Sequence, residues 1–331
     1  MTHRYIRVSR LGAAFLPAKF AEAGYGGPAR HVEADEASRA QAIRFLARGG
    51  TLVVTGEWSE VCAFRNEILK RENELLPEKA DRRERQLISR NLRLRLLTTV
   101  DCLPQTQTGF ETDELAGFLG EGSLPDGLPV LLPVDEAERL LEIPSNRCPV
   151  RAIDAELVTH PDVLAPRSQE TIDLVCEALR SCKPDLPDSP EVLDLGCGSG
   201  VLTIAAWQIL GEKSPTITAT DILPEAVATA RLNWRRLSPV GRAGPEDRLT
   251  VRAGNLFEPV DDRRFDLVIF NAPWVVAPAR NRAELALNDE RQATIKAFLE
   301  GWPGHLKPRG RVIVGYASNA GQKAISRLES F

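Results

Sequence analysis

The stretch EVLDLGCGSG, Glu191 to Gly200, decides how the second half of this chain folds. Val192, Leu193 and Leu195 make a short apolar run broken only by Asp194, and the run ends on glycines at 196, 198 and 200. A run of that length with flanking turn residues reads as a strand buried on both faces. Glycines directly after it let the backbone take left-handed conformations and enter a helix tightly. The neighbouring segments repeat the pattern. QETIDLVCEALRSC (169–182) has helical periodicity and is followed by the loop KPDLPDSP (183–190). After the glycines come a helix, VLTIAAWQILG (201–211), a strand, TITATDI (216–222), and a helix, PEAVATARLNWRRL (224–237). The strands LTVRAGNLF (249–257) and FDLVIFNAPW (265–274), a helix near Asp289–Leu299 and the strand RVIVGYAS (311–318) complete the series. Strict β-α alternation with continuous apolar strands predicts a doubly wound parallel sheet covered on both faces, an α/β fold.

The chain has 331 residues, more than a typical single domain, so two packed units are expected. The change of character near residue 155 sets the expected boundary: 1–155 as a mixed α+β extension serving substrate binding or closure, and 156–331 as the doubly wound domain. In the first part, TLVVTGEW (51–58) reads as a strand and Glu60 to about Arg95 as helical. EKADRRERQLISRNLRLRLL (78–97) is rich in arginine, but acids are interleaved and leucines recur at helical spacing. A solvated helix with one buried face explains it better than an RNA-binding surface. Basic and acidic side chains nearly balance over 1–155, and the whole chain carries a formal charge of −4. No broad nucleic-acid surface is therefore expected.

The six cysteines, at 62, 102, 148, 176, 182 and 197, form no C-x-x-C pair, and the four histidines cluster with none of them, so no metal site is expected. Scattered cysteines suit a reducing compartment, which makes a cytoplasmic location the expectation. The apolar patch in MTHRYIRVSRLGAAFLPAKF (1–20) is broken by Pro17 and Lys19, against a cleaved leader, and no apolar run reaches membrane-spanning length.

Asp194, Gly196, Gly198 and Gly200 fall at the end of a strand, where open α/β sheets bind ligands. A dinucleotide fingerprint starting at Gly196 needs Gly or Ala at 201, where Val201 stands, and it has no use for Asp194. S-adenosylmethionine (SAM) accounts for that acid, because its ammonium is a partner for a buried carboxylate. Asp221 ends the next strand, where it can accept from both ribose hydroxyls, and Ile222 beside it can pack on adenine. On these residues the segment 160–320 resembles the class I SAM-dependent methyltransferases, with their Rossmann-like fold. Cys197 lies within the loop as a small residue with no assigned chemistry.

The run GNLFEP (254–259) followed by FDLVIFNAPW is similar to the clade whose fourth strand ends in Asn-Pro-Pro-Tyr. That clade methylates planar nitrogens, either glutamine side-chain amides or base amino groups. VLAPRSQETIDLVCEAL (163–179) resembles a stretch of the protein-glutamine members, in which Arg167 and Thr171 would line the methionine end of SAM. The resemblance implies that Asn271 and the Ala272 carbonyl grip the acceptor N–H groups, with Pro273 shaping the turn and Trp274 stacking on the planar group. It places Asn255 and Leu256 near adenine. The sequence departs from the clade in Ala272 for proline, Trp274 for tyrosine and Asn255 for the usual aspartate, and no pattern for a final hairpin strand is evident before Phe331. The acceptor is expected to be a small molecule or a protein side chain.

Two other readings stay open. A relative of methyltransferase fold can use SAM as sole substrate, closing azetidine-2-carboxylate and releasing methylthioadenosine; this needs a closed, aromatic-lined chamber. A SAM-sensing or assembly protein is the non-enzymatic alternative. The plain structural account of Asn271–Trp274 is a turn capping a buried strand, with Trp274 filling the core.

Overall fold

The computed structural model describes residues 5–21, 28–35, 39–71, 81–104, 110–121, 123–237, 248–317 and 326. The chain divides into two compact units, Met1–Glu142 and Ile143–Phe331. The boundary expected at 155 falls inside a hairpin. Its strands β7 (Arg147–Val150) and β8 (Ala155–Val158) pair antiparallel, and Val150, Ile153 and Leu157 are buried in the core of the second unit. The hairpin therefore belongs with that unit.

The first unit contains β1 (Tyr5–Ser9), β2 (Gly12–Phe15), α1 (Ala18–Ala21), β3 (Ala29–Glu33), α2 (Arg39–Ala47), β4 (Thr51–Thr55) and α3 (Trp58–Lys70). It continues through α4 (Arg82–Arg95), β5 (Leu96–Thr99), α5 (Thr112–Phe118), β6 (Leu131–Pro133) and α6 (Val134–Glu142). Its six-stranded sheet runs β2-β1-β3-β4-β5-β6. The inner pairs are parallel and the two edge pairs antiparallel. The expected mixed extension is thus an α/β unit with a parallel centre. The continuous run Leu52, Val53 and Val54, all buried, is the mark of a strand covered on both faces.

The segment expected to be helical from Glu60 to Arg95 forms two helices, and 72–80 lies outside the described residues. Helix α4 opens on a capping box. Asp81 Oδ1 accepts from the amides of Arg83 and Glu84, and Glu84 returns a bond to the Asp81 amide. Leu92 is its buried residue, as a solvated helix requires, and Arg93 pairs with Asp135 at 2.9 Å.

In the second unit, α7 (Gln169–Cys182), β9 (Glu191–Leu195), α8 (Val201–Leu210), β10 (Thr216–Asp221), α9 (Pro224–Leu237) and β11 (Leu249–Ala253) alternate. β12 (Phe265–Asn271), α10 (Ala293–Gly301) and β13 (Leu306–Gly315) follow. All five strands are parallel in the order β11-β10-β9-β12-β13. From β9 the chain steps outward to β10 and β11, then returns to the other side of β9 with β12 and β13. That reversal is the switch point where such sheets open a crevice at the carboxyl ends of their strands. The last strand starts at Leu306, earlier than the expected Arg311, and the register shifts between Phe265 and Leu267. A further edge strand would fall largely on residues outside those described.

Alternate strand residues feed two cores. Val192, Ile217, Leu267 and Ile269 pack with Val175, Leu179, Ala205 and Trp234, so α7, α8 and α9 cover one face. Leu193, Leu195, Val268 and Phe270 pack with Ile295, Phe298 and Leu299 of α10 on the other. The amino ends of β9, β12 and β13 are tied by Lys307, whose Nζ is 2.6 Å from Glu191 and 2.9 Å from Asp266. Among the described residues, no helix is long and apolar enough to cross a membrane, and no group of three or more His, Cys, Asp or Glu is placed to hold a metal ion. The six cysteines are free.

Gly200 joins the glycine loop to this packing. Its φ is +81°, and a Cβ there would stand 3.1 Å from both Cα and Cβ of Ala230 on α9. Gly200→Ala is expected to destabilise the protein by about 1–3 kcal/mol, read as a lower urea midpoint at unchanged slope.

Candidate active site

Asp194, the penultimate residue of β9, is 1% exposed. Oδ2 accepts a 2.6 Å hydrogen bond from Thr203 Oγ1 on α8, while Oδ1 is buried with no partner. Burial pushes its carboxyl up to about 7; the nearby charge of Asp221 adds to this and the Thr203 hydroxyl opposes it. A half-satisfied carboxylate in a low-dielectric setting is costly to ionise and gains most from a cationic donor. An ammonium group fits the free oxygen. Thr203 escaped sequence reasoning, although a hydroxyl within the apolar start of VLTIAAWQIL was its signal.

Gly196, Gly198 and Gly200 all have positive φ. The loop is pinned from the next strand: the Cys197 amide donates to the Thr220 carbonyl at 2.9 Å, and the Gly198 amide donates to Asp221 Oδ2 at 2.9 Å. Asp221 Oδ1 accepts from the Leu223 amide, also at 2.9 Å. The amides of Gly198, Leu223 and Ile222 thus hold the carboxylate and leave it part of its acceptor capacity. Burial raises the Asp221 pKa, Glu225 adding to the shift and the Leu223 and Gly198 amides opposing it. A Cβ built on Gly198 meets nothing within 4 Å, so the space beside the loop is open. The Cys197 thiol is turned away from it, packed with Ala219, Val227 and Ala230, and burial holds its pKa well above the usual thiol value. Only the Cys197 backbone belongs to the loop's open side.

Ile222, directly after Asp221, is 57% exposed. The turn after β11 is bonded to the same place: the Gly254 amide donates to the Asp221 carbonyl at 2.9 Å, and Thr220 Oγ1 donates to the Leu256 carbonyl at 3.3 Å. The backbone at 254–256 therefore lies against the end of β10, while the Leu256 side chain packs on the core beneath α10. Asn233 of α9, fully buried, was also missed. Its Oδ1 accepts from the Val158 amide, and its Nδ2 donates to the carbonyls of Val158 and Ser199. It fixes the glycine loop to the end of the hairpin.

Leu195 pairs with Phe270, so Gly196 and Asn271 leave the sheet side by side. Asn271 is in register with Gly315, and the Ala272 amide donates to the Gly315 carbonyl at 3.0 Å. Proline at 272 would have no such donor. Among the described residues neither the Asn271 side chain nor the Ala272 carbonyl makes a hydrogen bond, which leaves two acceptors adjacent. A Cβ on Gly315 would lie 2.6 Å from Asn271 Oδ1; the glycine makes room for the amide. Pro273 is buried. Trp274 is half-buried and belongs to neither core, which goes against the core-filling account of it.

Val163 packs with Leu223 and Ala226, so the stretch leading to α7 runs along the Asp221 turn. Thr171 bonds Ser168 at 2.8 Å between hydroxyls. The Arg167 guanidinium is exposed, and its charge acts on the Cys148 thiol. No hydrogen bond or ion pair joins Arg167 or Thr171 to Asp194, Asp221 or Asn271.

A family model described as the methyltransferase small domain matches residues 154–330, more than half of the chain. The chain belongs to that family. Among its relatives, the release factor glutamine methyltransferase of Geobacter sulfurreducens is 35% identical over 120 residues, 36% of this chain and 37% of that protein. The ribosomal protein uL3 glutamine methyltransferase of Bradyrhizobium diazoefficiens is 36% identical over 141 residues, 39% and 41% of the two chains. A release factor glutamine methyltransferase of Bordetella pertussis is 34% identical over 167 residues, 46% and 56%. The chain spans about half the length of these relatives or less.

A bound ammonium would offset the cost of burying Asp194, whose carboxyl is pushed up to about 7 by burial. Only the ionised form can hold an ammonium, so SAM affinity is expected to fall roughly tenfold per pH unit below about 7. Between 3.8 and about 7 the folded chain binds a proton that the unfolded chain does not. Stability of the ligand-free protein from this group therefore decreases as pH rises through that window. Asp194→Asn should abolish SAM binding in calorimetry, raise the ligand-free Tm at neutral pH and flatten its pH dependence.

Proposed function

We propose that this protein transfers a methyl group from SAM to a planar nitrogen, with a glutamine side-chain amide the acceptor the site suits best. The observation that carries the proposal is the partnerless Asp194 Oδ1, buried beside the glycine loop and paired with Ile269 on the strand that ends in the two free acceptors at Asn271 and Ala272. When bound, SAM supplies a methyl group activated by a sulfonium. Asp194 holds its ammonium, the free lone pairs of Asp221 accept from the ribose hydroxyls, and Ile222, Asn255 and the Leu256 backbone flank the adenine. Arg167 and Thr171 are assigned to the methionine end through the family resemblance.

An amide nitrogen is a poor nucleophile because its lone pair is delocalised. Asn271 Oδ1 and the Ala272 carbonyl can accept its two N–H groups, moving electron density toward nitrogen and stabilising the positive charge that develops there. Trp274 offers a flat face that fixes the acceptor's orientation, and Pro273 holds the turn that presents all three. The relatives named above are methyltransferases of protein glutamines, which favours a protein acceptor; the names give no support to the ring-closing alternative.

Incubation with SAM tests the reaction class. S-adenosylhomocysteine that appears only when a glutamine-bearing acceptor is added supports methyl transfer, whereas methylthioadenosine from SAM alone overturns it. Asn271→Ala is expected to lower kcat about 10²–10³-fold with SAM affinity almost unchanged. Gly315→Ala should act the same way, since its methyl group displaces the Asn271 amide; a loss of SAM affinity equal to the loss of kcat would remove both residues from the acceptor side.

A further inference from the structure

The segment from Val275 to Asp289 is a loop closed at its neck. The amides of Trp274 and Val275 both donate to the Leu287 carbonyl, at 3.0 and 2.8 Å, and the Asp289 amide donates to the Val275 carbonyl at 2.8 Å. Inside the neck it bonds to itself. Asn288 Nδ2 donates to the Pro278 carbonyl, the Arg280 amide to Glu284 Oε2, and the Glu284 amide to Asn281 Oδ1. Loops with joined ends and their own internal packing are frequently functional.

Both feet stand on one layer of the domain. Ala272 is buried with Ile295 and Phe298 of α10, and the Asp289 carboxylate accepts from the amides of Thr294 and Ile295 at the start of that helix. The tip reaches the other layer. Arg282 Nη2 lies 2.6 Å from Oε2 of Glu225, a residue 2% exposed in the first turn of α9. That turn follows Asp221 directly, on the face opposite to α10. In the sheet, β9 separates β12 from β10, so the span is two strand spacings, roughly 10 Å. A loop that starts at the end of β12 and ends on the turn after β10 must cross the carboxyl end of β9, where the glycines lie.

We propose that this loop is a strap over the cofactor crevice and that Arg282 and Glu225 are the positioning residues that latch it. The inference rests on the reading of that crevice as the SAM site. The latch joins the two halves of the chemistry. Glu225 belongs to the helix that follows Asp221, and the strap begins at Trp274. Holding its tip down keeps the indole over the acceptor position and closes the exit from the glycine loop. Entry and departure of the nucleoside then require the Arg282–Glu225 pair to part. Arg282 is half-exposed, so the pair can open toward water without unfolding either helix, and a charge-assisted contact of this kind is strong enough to set a residence time.

Arg282→Ala and Arg282→Lys test the strap in two ways. In ligand-free protein, amide hydrogen exchange over 275–289 should accelerate in Arg282→Ala by a larger factor than exchange in β9 and β10, whatever stability is lost by leaving the buried Glu225 without its cation. In stopped flow, S-adenosylhomocysteine should dissociate about tenfold faster from Arg282→Ala, with Arg282→Lys recovering most of the wild-type rate through its single ammonium. Exchange unchanged over 275–289 overturns the latch. Faster exchange with an unchanged dissociation rate overturns its place over the crevice. Wild-type protein that binds neither SAM nor S-adenosylhomocysteine overturns the cofactor reading instead, and the exchange result still judges the latch.

Discussion

A carboxylate that is buried on every side and bonded on only one oxygen governs this domain. Asp194 sits where β9 meets the glycine loop, enclosed at the carboxyl edge of the sheet, and Thr203 supplies its hydrogen bonding. Water cannot complete its shell there, and leaving it ionised without a cation costs folding free energy. A domain selected for stability alone would place a leucine at this position. Its neighbours show the same order of priorities: Asp221 is also buried and held partly by backbone amides, with lone pairs left over. Two buried acids, one of which raises the pKa of the other, are an arrangement that a cationic, hydroxyl-rich ligand resolves.

The glycines matter for what they allow their neighbours to do. Positive φ at 196 and 198 turns the Gly198 amide toward Asp221 and leaves open space where a side chain would stand. Gly200 lets α9 approach until only a bare α-carbon fits. Gly315 plays the matching part on the acceptor side, where its missing methyl group is the room that Asn271 Oδ1 occupies. Ala272 completes that side by exchanging the rigidity of a proline for an amide that is bonded to Gly315. The turn is thus fixed by a hydrogen bond across strands rather than by a ring, and its carbonyl stays available.

Local pattern carried much of this. The apolar strands and the acids at 194 and 221 were legible because each lies inside one element, and period and length identify a buried parallel strand. What escaped was pairwise across elements. Nothing local marks Gly315 as the partner of Asn271, Asn233 as the tie to Ser199, or Arg282 as the partner of Glu225, because those contacts are made by folding. The first unit was read as a mixed extension for a related reason. Its strands are short and its helices charged, so parallel pairing of β1, β3, β4 and β5 shows only once the chain is folded. The boundary was set too late because the hairpin at 147–158 has its own turn chemistry yet buries Val150 and Leu157 in the second core.

The strap gives these separate devices a common purpose. A site that binds a cation through a buried acid needs water excluded to make that contact strong, and a site that sharpens an amide nitrogen through two neutral acceptors needs the same. An open edge of a parallel sheet excludes water poorly. The loop from β12 to α10 begins at Trp274 and is joined by an ion pair to the helix that follows Asp221, which on the strap proposal carries it over the glycines. One segment can therefore present Trp274 and cover Asp194 at once. The two demands, orienting the acceptor and drying the cofactor, become a single conformational requirement, and Glu225 is buried beside another acid because that is where the fastening has to be.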